Sequence, residues 1–223
     1  MPPDRTELRF LELLKTGRAY EEVTPWRGTS LKFLECSSGK GPKGPLAPLA
    51  PYTRRVTIRI PEPALVLLMG VAGSGKSTFA ASHFRPTEVI SSDQCRAMIA
   101  DDPEDQSVSP AAFDLLHVIA GKRLDAGRLT VIDATNVLAW GRKTLLELAA
   151  AREVPVIAVV LDLPLELCRE RNLARARQVP EAVIQKQWGD LQGSLSGLAQ
   201  EGVAEVYRFT DPGQIAKVQI ERD

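Results

Sequence analysis

The sequence predicts an α/β protein in which helices flank a parallel β-sheet. Two features of the chain predict this fold. Short, uniformly apolar runs, which a strand buried on both faces requires, alternate with segments of helical periodicity. In addition, Gly70–Ser77 matches G-x-x-x-x-G-K-[ST] between one such run and a helical segment, which is the context of a phosphate-binding loop. A chain of 223 residues is long enough for one domain of this kind and a short appendage.

Composition divides the chain into three predicted parts. Residues 1–36 form an accessory segment, in which apolar residues at helical spacing between Thr6 and Lys15 predict one short helix. Residues 37–51 are rich in proline and glycine, so we interpret them as a linker. The domain that carries the phosphate-binding loop is then expected to cover residues 52–223.

The strands and helices of this domain follow from its hydrophobic pattern. Val56–Ile60 alternates apolar and polar residues and predicts a half-buried strand, whereas the continuously apolar run Ala64–Met69 predicts a strand that is buried on both faces. Further strands are expected at Glu88–Ile90, Leu129–Ile132, Val156–Leu161 and Glu205–Phe209. Helices are expected at Lys76–His83, Cys95–Ala100, Ala111–Ala126, Gly141–Arg152, Leu165–Ala176 and Ala182–Leu198. Ligands of such sheets bind beyond the carboxyl ends of the strands.

Charge and cysteine content exclude several classes of function. Lysine plus arginine equals aspartate plus glutamate at 28 each, so no overall charge attracts the protein to nucleic acid or to an acidic membrane. The three cysteines are far apart and form no C-x-x-C pair, which argues against a disulfide framework or a zinc site and fits the reducing cytoplasm. The longest apolar run, Ala64–Met69, is too short to span a bilayer, so no membrane partner is expected.

The phosphate-binding loop predicts that the protein binds ATP with Mg²⁺. Glycines allow the backbone to turn sharply and bring its N–H groups close to phosphate oxygens. The Lys76 ammonium is expected to reach the β- and γ-phosphates, and the Ser77 hydroxyl to bind magnesium. The predicted nucleotide-binding residues are Gly73, Ser74, Gly75, Lys76, Ser77 and Thr78. A glycine-rich turn that matches by chance is the less favoured alternative, because both flanks fit the motif. The motif indicates the nucleotide and leaves the reaction open.

Asp93 and Arg96 are candidates for the acceptor side of a phosphotransfer site. Asp93 follows a predicted strand, so its carboxylate would lie at the same edge of the sheet as the loop and could take the proton of an attacking hydroxyl. Arg96 stands one helical turn later and could hold Asp93 or a substrate phosphate. The alternative is that the polar residues before Asp93 cap a helix and that Arg96 is solvated.

Asp133 is the candidate magnesium acid. It ends the strand at Leu129–Ile132, where an acid of the Walker B type binds magnesium through water or orients Ser77. A simple turn aspartate is the alternative.

Arg171 and Arg175 are candidates for a lid over the γ-phosphate. They are spaced to share one helical face, and a cation that neutralises the transferring group is needed in this chemistry. Neighbouring glutamates also permit a solvated helix with ion pairs, and Arg169 is assigned to that second interpretation.

These features together resemble a known family. The resemblance rests on Gly73–Ala80, Ser91–Asp93, Asp101–Asp102 with Asp105–Ser107, Phe113–His117, Val131–Asn136, Leu161–Pro164 and Arg171–Asn172. In order and spacing, these runs resemble the kinase module of bacterial polynucleotide kinase-phosphatases, within the P-loop kinase group that includes zeta-toxin-like kinases. The similar region extends from about Val56 to Phe209.

The resemblance implies an ATP-dependent kinase that phosphorylates the 5′-hydroxyl end of RNA or DNA, on a P-loop NTPase/kinase fold with an arginine-bearing lid. It implies a general base at Asp93, its arginine partner at Arg96, and lid arginines at Arg171 and Arg175. The family's third lid arginine is displaced: Gln178 stands in its place and Arg177 lies one residue earlier. No phosphatase or nucleotidyltransferase domain follows Asp223, so a stand-alone kinase or a relative in the wider group is expected.

Two other functions remain open from the sequence. A small-molecule or nucleotide-sugar kinase of the zeta-toxin type would share the loop and the base-bearing strand, and zero net charge does not require a polymer substrate. A non-enzymatic ATP-dependent binding module is the third possibility. The acceptor distinguishes the first two, and the need for Asp93 distinguishes both from the third.

Overall fold

The structure is a computed structural model that describes residues 56–223. The predicted accessory helix, the linker and the first residues of the expected domain lie outside the described residues. The three-part division of the chain therefore stays a prediction.

Seven strands are described: β1 (Val56–Ile60), β2 (Leu65–Met69), β3 (Val89–Ser91), β4 (Thr130–Asp133), β5 (Val156–Leu161), β6 (Glu205–Phe209) and β7 (Val218–Arg222). Five of them form a parallel sheet in the order β3-β4-β2-β5-β6. Strands β1 and β7 pair in parallel as a separate two-stranded sheet. The parallel sheet confirms the predicted fold class.

The helices alternate with these strands. They are α1 (Lys76–His83), α2 (Ser92–Ala100), α3 (Ser109–Asp125), α4 (Ala139–Ala150), α5 (Leu165–Leu173), α6 (Glu181–Ser194) and α7 (Pro212–Ile215). Short 3₁₀ helices at Gln106–Val108 and Leu195–Gly197 precede α3 and follow α6. None of the helices in residues 56–223 is long and apolar enough to cross a membrane.

The core has two halves, one on each face of the large sheet. Strand β2 is buried at all five positions, and its side chains alternate between the halves. Leu65 and Leu67 pack with buried residues of α3, α4 and α6, whereas Val66 and Leu68 pack with α1 and with the β1–β7 pair. Coverage of both faces explains why the central strands are continuously apolar.

The structure corrects two predicted helix bounds and adds two elements that were not predicted. Helix α2 begins at Ser92 rather than Cys95, because the Ser91 side chain accepts a hydrogen bond from the Asp93 backbone N–H and caps the helix earlier. Helix α5 ends at Leu173, so Arg175 lies beyond the helix. Strand β7, with two polar residues at its solvent-exposed positions and a charged end, was not predicted, and neither was α7.

Candidate active site

The phosphate-binding loop connects β2 to α1 at the carboxyl edge of the large sheet. Gly75 caps α1 with φ of 98°, in the left-handed region that glycine tolerates. Gly73 has φ of 84°, and a Cβ atom built there would lie 2.2 Å from the Cys168 carbonyl oxygen on α5. Only glycine therefore fits between this loop and the helix that precedes the lid.

Neighbouring segments hold the loop in place. The Gly70 N–H donates to the Thr135 carbonyl at 3.1 Å, and the Ala72 N–H donates to Oε1 of Gln187 at 2.9 Å. The first bond ties the loop to the segment after β4, and the second ties it to α6. The loop is thus fixed from two sides, and preorganised N–H groups need less reordering when a phosphate binds.

Asn136 and Arg142 support the phosphate-binding loop through the turn after β4, and neither role was predicted from the sequence. Asn136 is buried with φ of 49°, and its amide donates to the Leu68 carbonyl at 2.8 Å, which joins the ends of β4 and β2. Arg142 is completely buried and donates to the Asn136 carbonyl at 2.7 Å. It also donates twice to the Glu201 carboxylate, at 2.8 and 2.6 Å. The turn after β4 is therefore a structural support of the loop.

Lys76 lies within the loop, where its ammonium donates to the carbonyls of Gly70 and Val71, each at 2.9 Å. The pKa of Lys76 is lowered to about 8. Burial is the main cause and the Arg175 charge adds to it, whereas the Asp133 carboxylate opposes the shift. The Ser74 hydroxyl is buried and has no hydrogen-bond partner among the described residues. A bound phosphate would satisfy both groups and would favour the charged lysine.

Asp133 and Ser77 meet at the edge of the loop. The Asp133 carboxylate hydrogen-bonds with the Ser77 side chain, and burial raises its pKa while this bond and the Lys76 charge oppose the rise. Both are hard oxygen donors that suit Mg²⁺, which would neutralise charge on the phosphates. Residues 56–223 contain no group of three or more acidic, histidine or cysteine side chains arranged to hold a metal by themselves. Nucleotide oxygens would therefore supply ligands as well.

Asp93 lies where the acceptor-side prediction places it. Ser91, two residues earlier, pairs in register with Asp133 of β4. The Asp93 side chain is 58% exposed, and its charge acts on both Lys76 and Asp133. The Asp93 carboxylate is therefore both accessible to solvent and close enough to the loop for its charge to act there.

Arg96 holds Asp93 from the protein side. Its guanidinium forms a charged hydrogen bond with the Asp93 carboxylate and donates through Nε to the Pro103 carbonyl at 2.8 Å. Arg96 is only 6% exposed, so the solvated alternative is wrong for this residue. Its place behind Asp93 makes it a positioning residue.

The predicted lid arginines, Arg171 and Arg175, lie near the phosphate-binding loop. Arg171, the last basic residue of α5, has Nη1 3.8 Å from the Cβ position of Gly75, and the Arg175 charge acts on Lys76 and Asp133. The segment after them returns to α6 through Asn172, whose amide exchanges hydrogen bonds of 2.9 Å with the Val179 backbone in both directions. Both predicted lid residues thus surround the predicted phosphate site.

Thr78, Arg169 and Arg177 are the remaining residues that the sequence analysis discussed. Thr78 is exposed in the first turn of α1, where its hydroxyl is open to a ligand. Arg169 pairs with Glu166 at 2.7 Å and Glu181 at 3.1 Å, which is the ion-pair role expected for it. Arg177 pairs with Glu104 at 3.2 Å, in the loop that follows α2.

The fold and the loop agree with what comparisons with known proteins show. A family model described as "AAA domain" matches residues 65–198, more than half of the chain. This chain belongs to the AAA domain family. The match contains β2, the loop, Asp93, Asp133 and the lid, and together with the fold it makes the chain a P-loop kinase-like member of this family. Such a fold implies nucleotide binding. No curated protein matches the chain.

Solved structures similar to this AAA domain chain share its fold. In the structure of the Pnkp1/Rnl/Hen1 RNA repair complex, the similar chain is 24% identical with a TM-score of 0.53 over 60% of this chain and 46% of that chain. The chain thus spans about half the length of that protein. The AvrRxo1-ORF1:-ORF2 complex contains a chain with 17% identity and a TM-score of 0.53, covering 67% of this chain and 55% of that chain. A gluconokinase from Sinorhizobium meliloti 1021 has 19% identity and a TM-score of 0.45, covering 71% of this chain and 90% of that chain.

Proposed function

We propose that the protein is an ATP-dependent polynucleotide 5′-hydroxyl kinase. The observation that carries the proposal is the position of Asp93: its exposed carboxylate is held by Arg96 and acts electrostatically on Lys76 and Asp133. A nucleotide-binding module that does no chemistry has no need for a fixed, accessible carboxylate beside the phosphate site. The motifs that resemble polynucleotide kinase modules, and the similarity to a chain of an RNA repair complex, support nucleic-acid ends as the acceptor to test first.

The residues divide the reaction among them. The 5′-oxygen of the acceptor attacks the γ-phosphorus of ATP while its proton passes to the Asp93 carboxylate. The bond from the γ-phosphorus to the β,γ-bridging oxygen breaks, and ADP leaves. Lys76 and the loop N–H groups bind the phosphates, and Arg171 and Arg175 neutralise the charge of the transferring group. Ser77 and Asp133 would hold Mg²⁺.

A second candidate is favoured by one feature of the acceptor side. The loop after α2 carries four acidic residues, namely Asp101, Asp102, Glu104 and Asp105, and three of them are exposed. Because carboxylates repel phosphodiester backbones, this loop is better suited to a small neutral acceptor such as a sugar. A small-molecule kinase with the same base and lid is therefore the alternative.

Substitution at Asp93 tests whether the protein is a kinase. The change of Asp93→Asn should lower kcat by about 10²–10⁴-fold, because general-base catalysis contributes that much, while the Kd for ATP stays unchanged. Gln94→Ala, an exposed neighbour on α2, is the matched control and should retain activity. Full turnover in Asp93→Asn would remove the proposed base.

Acceptor profiling then separates the two kinase functions. With γ-labelled ATP, 5′-hydroxyl oligonucleotides of RNA and DNA should become labelled at the 5′ end, and 5′-phosphorylated strands of the same sequence should not. A soluble metabolite that is phosphorylated with much higher kcat/KM than any oligonucleotide would replace the polynucleotide assignment with the small-molecule one.

A further inference from the structure

One ion pair joins the lid to the acceptor side of the site. Nε of Arg177 lies 3.2 Å from Oε1 of Glu104. Arg177 belongs to the lid segment, which we define as residues 174–180 between α5 and α6. Glu104 belongs to the acidic loop, defined as residues 101–105 between α2 and the first 3₁₀ helix. The pair therefore connects two segments that are distant in sequence.

The acidic loop presents Glu104 on a fixed backbone. The Glu104 N–H donates to the Asp102 carboxylate at 2.8 Å, and Asp105 accepts in the same way from the Ser107 N–H at 2.8 Å. Side-chain acceptors of this kind stabilise tight turns. The carbonyl of Pro103, the residue before Glu104, accepts from Arg96 Nε at 2.8 Å. Glu104 is thus one residue away from a hydrogen-bond partner of Arg96, the arginine that holds Asp93.

The lid segment carries Arg177 close to the arginine that acts on the phosphate site. Arg175, two residues earlier, is exposed, and its charge acts on Lys76 and Asp133. The base of the segment is closed by the hydrogen bonds between Asn172 and Val179. The first half of the segment has few buried contacts, because residues 174–176 are exposed and Arg177 is only partly buried. A contact at Arg177 is therefore well placed to decide where Arg175 lies.

We propose that the Glu104–Arg177 pair is a positioning contact that holds the lid closed across the acceptor side. Closure places Arg175 over the transferring phosphate and, through Pro103 and Arg96, keeps Asp93 oriented toward the acceptor hydroxyl. Neither member of the pair touches the reacting atoms. This inference rests on the proposed phosphotransfer at the same site. Arg177, one residue before the position at which the resembled family carries its third lid arginine, reaches the acidic loop from where it stands.

The expected size of the effect is modest. Exposed ion pairs contribute about 0.2–1 kcal/mol, which corresponds to about a 1.4- to 5-fold change in the ratio of closed to open lid, and in kcat where the open lid predominates. Loss of the pair should therefore lower kcat by about this factor. The Kd for ATP should stay unchanged, because the phosphate-binding loop and Lys76 are not altered. Charge reversal at one partner should lower kcat further, since two like charges would then face each other.

The test uses neutral, reversed and exchanged charges in the full chain. Glu104→Gln and Arg177→Gln should each lower kcat by about 1.4- to 5-fold, and Glu104→Arg should lower it more. The double variant Glu104→Arg with Arg177→Glu should restore most of the loss, because the pair is re-formed with its charges exchanged. At about 1 M salt, where the Debye length is about 3 Å, the difference between wild type and Glu104→Gln should shrink. The control is Lys186→Gln, which breaks an exposed pair with Asp190 within α6 and should leave kcat unchanged.

Backbone amide exchange separates this inference from the proposed function. In the presence of a non-hydrolysable ATP analogue, the backbone N–H groups of residues 174–179 should exchange faster in Glu104→Gln than in wild type, and the charge-exchanged double variant should regain protection. This readout does not depend on any acceptor. If wild type transfers phosphate to no acceptor, the proposed function fails, while the amide measurement still tests the contact. Unchanged exchange in the lid, faster turnover in either single variant, or no recovery in the double variant would overturn the positioning role.

Discussion

The low pKa of Lys76 makes ATP binding sensitive to pH in an unusual range. Burial lowers this pKa to about 8, whereas an exposed lysine titrates near 10.4. A group with pKa 8 is about 90% charged at pH 7 and about 10% charged at pH 9. Since the ammonium must be charged to bind the phosphates, and bound phosphates raise its pKa, the Kd for ATP should rise about tenfold between pH 7 and pH 9. A lysine with an ordinary pKa would show almost no change in this interval.

Calorimetry measures the proton uptake that this effect requires. At pH 9, titration with ATP in two buffers of different ionisation enthalpy should show uptake of nearly one proton per ATP bound, and at pH 7 almost none. Lys76→Arg is the matched control, because its guanidinium stays charged throughout and its Kd should not depend on pH. Burial lowers the pKa of His83 and His117 and raises that of Cys95 and Cys168, so these four groups are shifted away from the interval between pH 7 and pH 9. A Kd for ATP that is constant from pH 7 to pH 9 in wild type would refute the reasoning.

Two further substitutions test how the loop is supported. Arg142→Met should lower the free energy of unfolding by about 3–5 kcal/mol, because it leaves the Glu201 carboxylate without its buried partner. Urea denaturation measures this free energy, and a loss below about 1 kcal/mol would contradict the supporting role. Gly73→Ala should weaken ATP binding by about tenfold or more, because the left-handed conformation costs about 1–2 kcal/mol for an alanine and its Cβ would meet the Cys168 carbonyl. Gly189→Ala, where a Cβ meets nothing within 4 Å, is the control in the same titration, and equal Kd values for both variants would count against the loop geometry.

Local patterns in the sequence were enough to predict the sheet and the phosphate-binding loop. Strand β5 is predicted at its observed bounds because every one of its residues is apolar and buried. The loop motif is contiguous, so its geometry follows from adjacent residues. Asp93 and Asp133 were predicted to lie near the loop because parallel strands place their carboxyl ends at one edge. In each case the signal lies within a few residues of the feature.

The missed features depend on contacts between distant parts of the chain. The bond from Ala72 to Gln187 joins residues 115 positions apart, and neither residue type signals the pairing. Arg142 was not noticed because the sequence alone does not distinguish a buried arginine from an exposed one. Its partner Glu201 lies beyond β5, α5, α6 and the second 3₁₀ helix. The end of α5 before Arg175 was also missed, since the residues there form helices readily and the helix is ended by the return of the chain through Asn172 and Val179.

The pairing of β1 with β7 has a consequence for how the protein is made. Val56 lies beside Val218 in this small sheet, so β1 can pair only after β7 has been synthesised, and the whole of the large sheet lies between them in sequence. Until then, the buried side chains of Ile58 and Ile60 have no strand partner, and the nascent chain must carry them unprotected. A truncation before Val218, which removes β7, would leave the phosphate-binding loop intact in sequence while exposing the edge of β1 to aggregation.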